Sequence, residues 1–217
     1  MDVSAFTRLF RSWPCNDELT LKQLRMKTIT LLAIVLMLRP SDVAPKATSF
    51  DQETGVASRF VMSTDHVSFS SDGAATVCFF GVKNDTQRTG FEVTLPACSD
   101  AQVDPVEALR VYIARTAAVR CPRTRPLFLS LVRPFGAVSA SAVAGVLRDA
   151  IGAAEKFGLS PGHRPKDFRP TGATEAVRRG FKADDVQRLG RWKTRSVFMD
   201  HYVHNKVHDS FTDSMLQ

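Results

Sequence analysis

From 20 to 38 the chain carries no Pro or Gly, and apolar residues crowd every side, most densely in ITLLAIVLML at 29–38. This pattern predicts a helix packed on several faces. The run is about half of the roughly 20 apolar residues that a membrane-spanning helix needs, so it is read as a buried helix. The helix is expected to stop at Arg39-Pro40, because Pro disfavours helical geometry in the residue before it. Between 56 and 95 the periodicity changes. VASRFVM, HVSFS, ATVCFFGV and GFEVTLP are short β-branched and aromatic segments separated by STD, SDG and KNDTQRTG. They predict a small antiparallel sheet of three or four strands, with Lys83 at the turn between the last two.

Helical patterning then returns. Asp104-Pro105 opens a helix reaching about residue 120, RPLFLS is briefly extended, and Ser139 or Ser141 opens a second helix that ends near Phe157, before Gly158. After LSPGHRP, Asp167 is expected to cap a third helix with Phe168, Arg169 and Pro170 in its first turn, where a missing N–H has no helical partner to lose. Arg169 would thus stand at a helix N-terminus, a place that favours anions. Two short helices, about 183–189 and 194–203, flank a Gly190-Arg191-Trp192 turn. The fold class expected is α+β, mainly helical with one small antiparallel sheet.

At 217 residues, with 44% apolar and 24% charged residues, the composition is that of a folded globular chain rather than a disordered one. Charge changes the picture more. The formal net charge is +7, and a basic surface binds polyanions by displacing their counterions, so nucleic acid is the leading partner class and an anionic membrane the second. Residues 162–206 hold eleven Lys or Arg against five acids, so one fifth of the chain carries most of the excess. Cys15, Cys78, Cys98 and Cys121 are widely spaced with no C-x-x-C pair, which argues against a zinc site or a disulfide framework and for a reducing, intracellular setting. The N-terminus lacks the apolar core of a signal peptide.

Several chemistry-bearing residues sit at ends and turns of these predicted elements. LRPSDVA at 38–44 presents Arg39 with an acid three residues on, and VKND at 82–85 presents Lys83. KDFRPTGAT at 166–174 presents Lys166 and Arg169, LGRW at 189–192 presents Trp192, and HYVH presents Tyr202. Each has a plainer reading alone. Arg39 would cap its helix, Lys83 would be a solvated turn lysine, Lys166 and Arg169 would hold DNA phosphates without chemistry, Trp192 would be core, and Tyr202 would be a surface ring. Taken as an ordered set, interleaved with helix, sheet and helix, they resemble the catalytic domain of the tyrosine recombinases, the phage-integrase family, over roughly residues 18–204.

That resemblance implies DNA cleavage and rejoining without a metal ion, nucleotide or other cofactor. Arg39 and Arg169 would grip the non-bridging oxygens of a scissile phosphate as bidentate forks. Tyr202, whose phenol has a reference pKa of about 10, would attack phosphorus in the positive field of the arginines and Lys166. Lys83 would protonate the departing 5′ oxygen, and Trp192 would hold Tyr202 in place. The product would be a 3′-phosphotyrosyl bond that a second 5′-hydroxyl can reverse. Arg164, Arg191, Lys193 and Arg195 are the expected DNA contacts. The partners implied are double-stranded DNA and further copies of the chain, as a tetramer on DNA, with no membrane; the place is the nucleus of a eukaryote or the cytoplasm and nucleoid of a bacterium.

The pattern departs from the family in four respects. Lys166 stands where most members have His, and Pro170 follows the second arginine. Trp192 precedes Tyr202 by ten residues where nine is commoner, so Arg191 competes for the supporting position. The family's N-terminal clamping domain has no room before residue 18, which makes residues 1–17 a remnant or linker and the chain a fragment or a shortened relative. Residues 205–217 form a tail expected to fray or to dock on a neighbouring protomer. Two other readings stay open: a type IB topoisomerase-like nicking and closing enzyme, and a non-catalytic DNA-binding relic.

Overall fold

The structure, a computed structural model, describes residues 1–50, 57–60, 62–80 and 90–202. Its first helix, α1 (Val3–Arg11), starts where the Asp2 carboxylate accepts the Ser4 N–H at 2.8 Å. Ala5, Phe6, Leu9 and Phe10 form one buried face, the spacing of an amphipathic helix. Phe6 packs 5.2 Å from Phe168 between ring centroids. Arg8 donates from Nε and Nη2 to the Phe157 carbonyl at 2.9 and 2.7 Å, closing the carboxyl end of a later helix. Ala5, Phe6, Leu9 and Phe10 of the segment 1–17 join the main core, because two phenylalanines at four-residue spacing have an apolar surface to cover.

The long helix α2 (Leu21–Val35) is started by a capping box. Thr20 Oγ1 accepts from the Gln23 N–H, and Gln23 Oε1 accepts from the Thr20 N–H. It ends three residues earlier than expected, with Met37 in the left-handed region at φ 52° and the Leu38 N–H returning to the Ala33 carbonyl at 3.2 Å. The 3₁₀ turn Pro40–Asp42 follows. A two-stranded antiparallel ribbon pairs β1 (Lys46–Phe50) with β2 (Ala57–Phe60). A second sheet of order β3-β4-β5 pairs Val67–Phe69, Ala75–Phe79 and Phe91–Leu95, all antiparallel. Of the three or four strands expected in one sheet between 56 and 95, β3, β4 and β5 form that sheet, while the first segment, β2, pairs with β1 in the separate ribbon. β4 buries Ala75, Val77 and Phe79 in alternation, which turns one face of the sheet to the core.

The remaining helices are α3 (Pro105–Thr116), α4 (Ala140–Glu155), α5 (Phe168–Arg178), α6 (Ala183–Leu189) and α7 (Arg195–Tyr202). Asp104 and Ser139 cap α3 and α4 as their sequences require. The main core gathers residues from α1 to α5 and the β3–β5 sheet. A smaller cluster of Met37, Ala173, Val186, Trp192 and Phe198 mounts α6 and α7 on α5. Among the described residues no helix is long and apolar enough to cross a membrane.

Candidate active site

The last carbonyls of a helix have no partner within it and carry the negative end of its dipole. Just past the last residue of α2, the carbonyls of the C-cap Leu36 and of Met37 are met by arginines from distant parts of the chain. Arg169 Nη1 donates to the Met37 carbonyl at 2.8 Å, and Arg191 Nη2 lies 3.5 Å from the Leu36 carbonyl. Their arrival depends on a glycine. Any Cβ at Gly172 would collide with the Ile34 carbonyl, so only glycine lets α5 approach α2 this closely.

Arg169 sits in the first turn of α5 and is 3% exposed. Its Nη2 donates to the Gly190 carbonyl, and its guanidinium lies 4.1 Å from the centroid of the Trp192 ring. Such a desolvated cation–ring contact contributes about 2 kcal/mol. Trp192 in turn packs 4.9 Å from Phe198 on α7. Gly190 is required here as well, since a Cβ would overlap the Trp192 ring. Arg169, Trp192 and Phe198 thus form a continuous buried path from the start of α5 to the helix that ends in Tyr202.

Arg191 adopts φ 60° and turns inward. Its guanidinium lies 3.3 Å from Asp42 Oδ2, 5.0 Å from the Phe79 centroid and 5.6 Å from that of Phe91. Burial pushes its pKa down, the Asp42 carboxylate opposes that shift and the Arg39 charge adds to it. The DNA contact expected of Arg191 is therefore not on the surface: the side chain is only 6% exposed, held by a carboxylate and two rings. Sequence reasoning left Asp42 without a task of its own. It belongs to the centre of the site, with Oδ2 also accepting the Arg39 N–H at 2.8 Å. The acid three residues after Arg39 was the signal that pointed to it.

Arg39 is half-buried at the start of the 3₁₀ turn and lines a small apolar cleft with Leu32, Leu38, Val43, Phe128 and Leu147. Its guanidinium makes no hydrogen bond or ion pair with a described residue. Lys166 is exposed on the turn Pro165–Asp167 that leads into α5. Asp167 caps that turn rather than α5, its Oδ2 accepting the Arg164 N–H at 2.8 Å. Arg164 and Lys193 are exposed, and Arg195 reaches Asp184 at 3.4 Å. Tyr202 closes α7, while the position of its ring is outside the described part of the structure. Lys83 and the tail from 205 to 217 lie outside the described residues. The structure therefore brings Arg39, Arg169, Arg191 and Trp192 together and puts Lys166 on the adjoining turn.

No family profile and no curated protein matches this sequence. Solved structures do match it. XerA recombinase superposes with a TM-score of 0.67 at 16% identity, over 99% of this chain and 62% of that one. XerH site-specific recombinase, bound to a palindromic difH substrate in a post-cleavage complex, gives 0.65 at 10% identity, over 98% and 50%. The Tn1549 transposon integrase, in complex with circular intermediate DNA, gives 0.61 at 12% identity, over 100% and 64%. The chain thus spans about half to two thirds of the length of these solved chains, and its fold is that of a tyrosine-recombinase catalytic domain.

Proposed function

We propose that this chain is the catalytic domain of a site-specific DNA strand transferase. One observation carries the reading: the Arg169 guanidinium, 132 positions along the chain from Met37, bonds to the carbonyl two residues before Arg39 and touches Trp192. Three of the sequence boxes that resemble the recombinase pattern thereby meet at one place, on a fold shared with XerA, XerH and the Tn1549 integrase. The last two of these are DNA complexes.

In this reading Arg39 and Arg169 grip the phosphate and stabilise the charge that builds on its oxygens as phosphorus becomes five-coordinate. The Tyr202 phenol attacks phosphorus in the positive field of the arginines and Lys166, its proton passing to water. The bond from phosphorus to the 5′ oxygen breaks, and Lys83 gives that oxygen a proton. The 3′-phosphotyrosyl bond retains the energy of the phosphodiester, so the 5′-hydroxyl of a second duplex reverses the step and joins the exchanged strands. Double-stranded DNA is the substrate, and a tetramer on two duplexes is the working assembly. Arg164, Lys193 and Arg195 supply contacts to the DNA backbone.

A second reading, a DNA-binding relic without chemistry, is favoured by the burial of Arg169, whose two terminal nitrogens already bond to main-chain carbonyls. A duplex nicked near the cleavage point, so that the released fragment diffuses away, separates the two. Strand transfer predicts a covalent protein–DNA adduct that disappears in Tyr202→Phe. A chain that binds the duplex and forms no adduct is the relic. Exchange between two duplexes then distinguishes a recombinase from a nicking and closing enzyme.

A further inference from the structure

The chemistry above employs Arg39 and gives no task to the buried ion pair beside it. The Asp42 side chain is 3% exposed and that of Arg191 is 6% exposed. A carboxylate so enclosed needs a cation. Asp42 is held next to Arg39 by the 3₁₀ turn, its Oδ2 accepting the Arg39 N–H at 2.8 Å. Alone, it would draw in the Arg39 guanidinium, in competition with a DNA phosphate. Arg191 approaches the same oxygen at 3.3 Å and is fixed there by Phe79 and Phe91. The three groups feel one another, since both Arg39 and Asp42 shift the Arg191 equilibrium.

We infer that Arg191 is a positioning residue which, by neutralising Asp42, keeps the Arg39 guanidinium available to a DNA phosphate. The inference rests on the reading that Arg39 grips a phosphate. Arg191 itself is enclosed and acts through Asp42 rather than on DNA. Its value lies in local charge: Asp42 and Arg191 cancel, so Arg39 presents a full positive charge from a rigid turn. Removing the Arg191 charge alone would leave Arg39 to cancel Asp42 instead.

The test compares Arg191→Met, Asp42→Asn and the double variant with the unaltered chain and with Arg39→Met. Asparagine at 42 keeps an oxygen for the Arg39 N–H while removing the charge. Two quantities are read: the slope of log affinity against log salt for duplex DNA, and the rate of adduct formation on the nicked duplex. Each phosphate neutralised contributes a slope of about 0.9. Arg191→Met should lose about that much, as Arg39→Met does, and slow the adduct about 100-fold. The double variant should recover both the slope and the rate, because the competing carboxylate is gone. A purely structural role would lower stability in urea unfolding and leave the salt slope of the folded Arg191→Met protein unchanged. If Arg191→Met does not fold, Arg191→Lys, which retains the charge, should keep the slope of the unaltered chain.

A double variant that folds but stays as impaired as Arg191→Met overturns the inference. So does an Arg191→Met protein with unaltered slope and rate, or an Arg191→Lys protein that folds and has lost the slope. Absence of an adduct from the unaltered chain would instead defeat the strand-transfer reading. The salt slopes would still decide the role of Arg191.

Discussion

The arginines between 162 and 206 occupy two kinds of surroundings. Arg169 and Arg191 lie inside, on the Met37 and Leu36 carbonyls just past α2, on aromatic rings and, for Arg191, on a buried carboxylate. Arg178, Arg179 and Arg188 lie outside, each paired with an acid three or four residues away on the same helix, Glu175 for the first two and Asp185 for the third. The inner pair ties together elements that are distant in the chain, while the outer set stabilises its own helices. A basic stretch is therefore not one electropositive face. Its charge divides into a buried part that builds the site and an exposed part of which Arg178, Arg179 and Arg188 are paired with nearby acids. Surface pairs of the second kind contribute at most about 1 kcal/mol each, whereas loss of a buried, bonded cation costs several times that.

The sharpest test of this division is Arg169→Ala. It removes the bonds to Met37 and Gly190 and the contact with Trp192, and it opens a void. We expect a loss of about 4 kcal/mol in urea unfolding, against about 0.5 kcal/mol or less for the exposed Arg188→Ala. Equal costs would abolish the distinction. Gly190→Ala should come next, at about 2 kcal/mol, because the new methyl group displaces the Trp192 ring. Tryptophan fluorescence should shift with it, and an unaltered spectrum would mean the ring does not depend on that glycine.

The smallest effect is expected at Glu175. Its pKa is lowered, first by the hydrogen bond from Arg178, with burial opposing and Arg179 adding to the shift. A carboxylate with a depressed folded pKa contributes stability that is full above its unfolded value, about 4.3, and is lost as pH falls through the folded value. Glu175→Gln should remove at most about 1 kcal/mol near neutrality and flatten the acid limb of the stability profile. An acid limb identical in both proteins would show that the outer pairs contribute nothing.

Much of the fold was legible in local pattern. Asp104-Pro105, Ser139 and the alternation from 56 to 95 state their elements through capping and periodicity, and α6 falls on the expected residues. The end of α2 was not. Met37 turns into the left-handed region where its carbonyl receives Arg169, a contact that no local window contains. The inward turn of Arg191 was hidden for the same reason, since Asp42 lies 149 positions away. The packing of α1 was written in the spacing of Phe6 and Phe10, although what they cover, Phe168 among others, is remote in sequence. Of the candidate site, Arg39, Arg169 and Trp192 were singled out in the sequence only through the ordered boxes that resemble the recombinase pattern. How they share carbonyls, rings and one carboxylate required the structure.

The central claim is that these groups serve a phenol at the end of α7. The chain has two tyrosines, Tyr112 and Tyr202, and Tyr112 is fully buried, its hydroxyl accepting the Leu129 N–H. After reaction with the nicked duplex, digestion by nuclease and trypsin followed by mass spectrometry identifies the residue that carries the nucleotide. The account predicts a 3′-nucleotide on the peptide SVFMDHYVHNK, residues 196–206, at Tyr202. A nucleotide on any other peptide, or a cleaved duplex with no modified peptide, would contradict it.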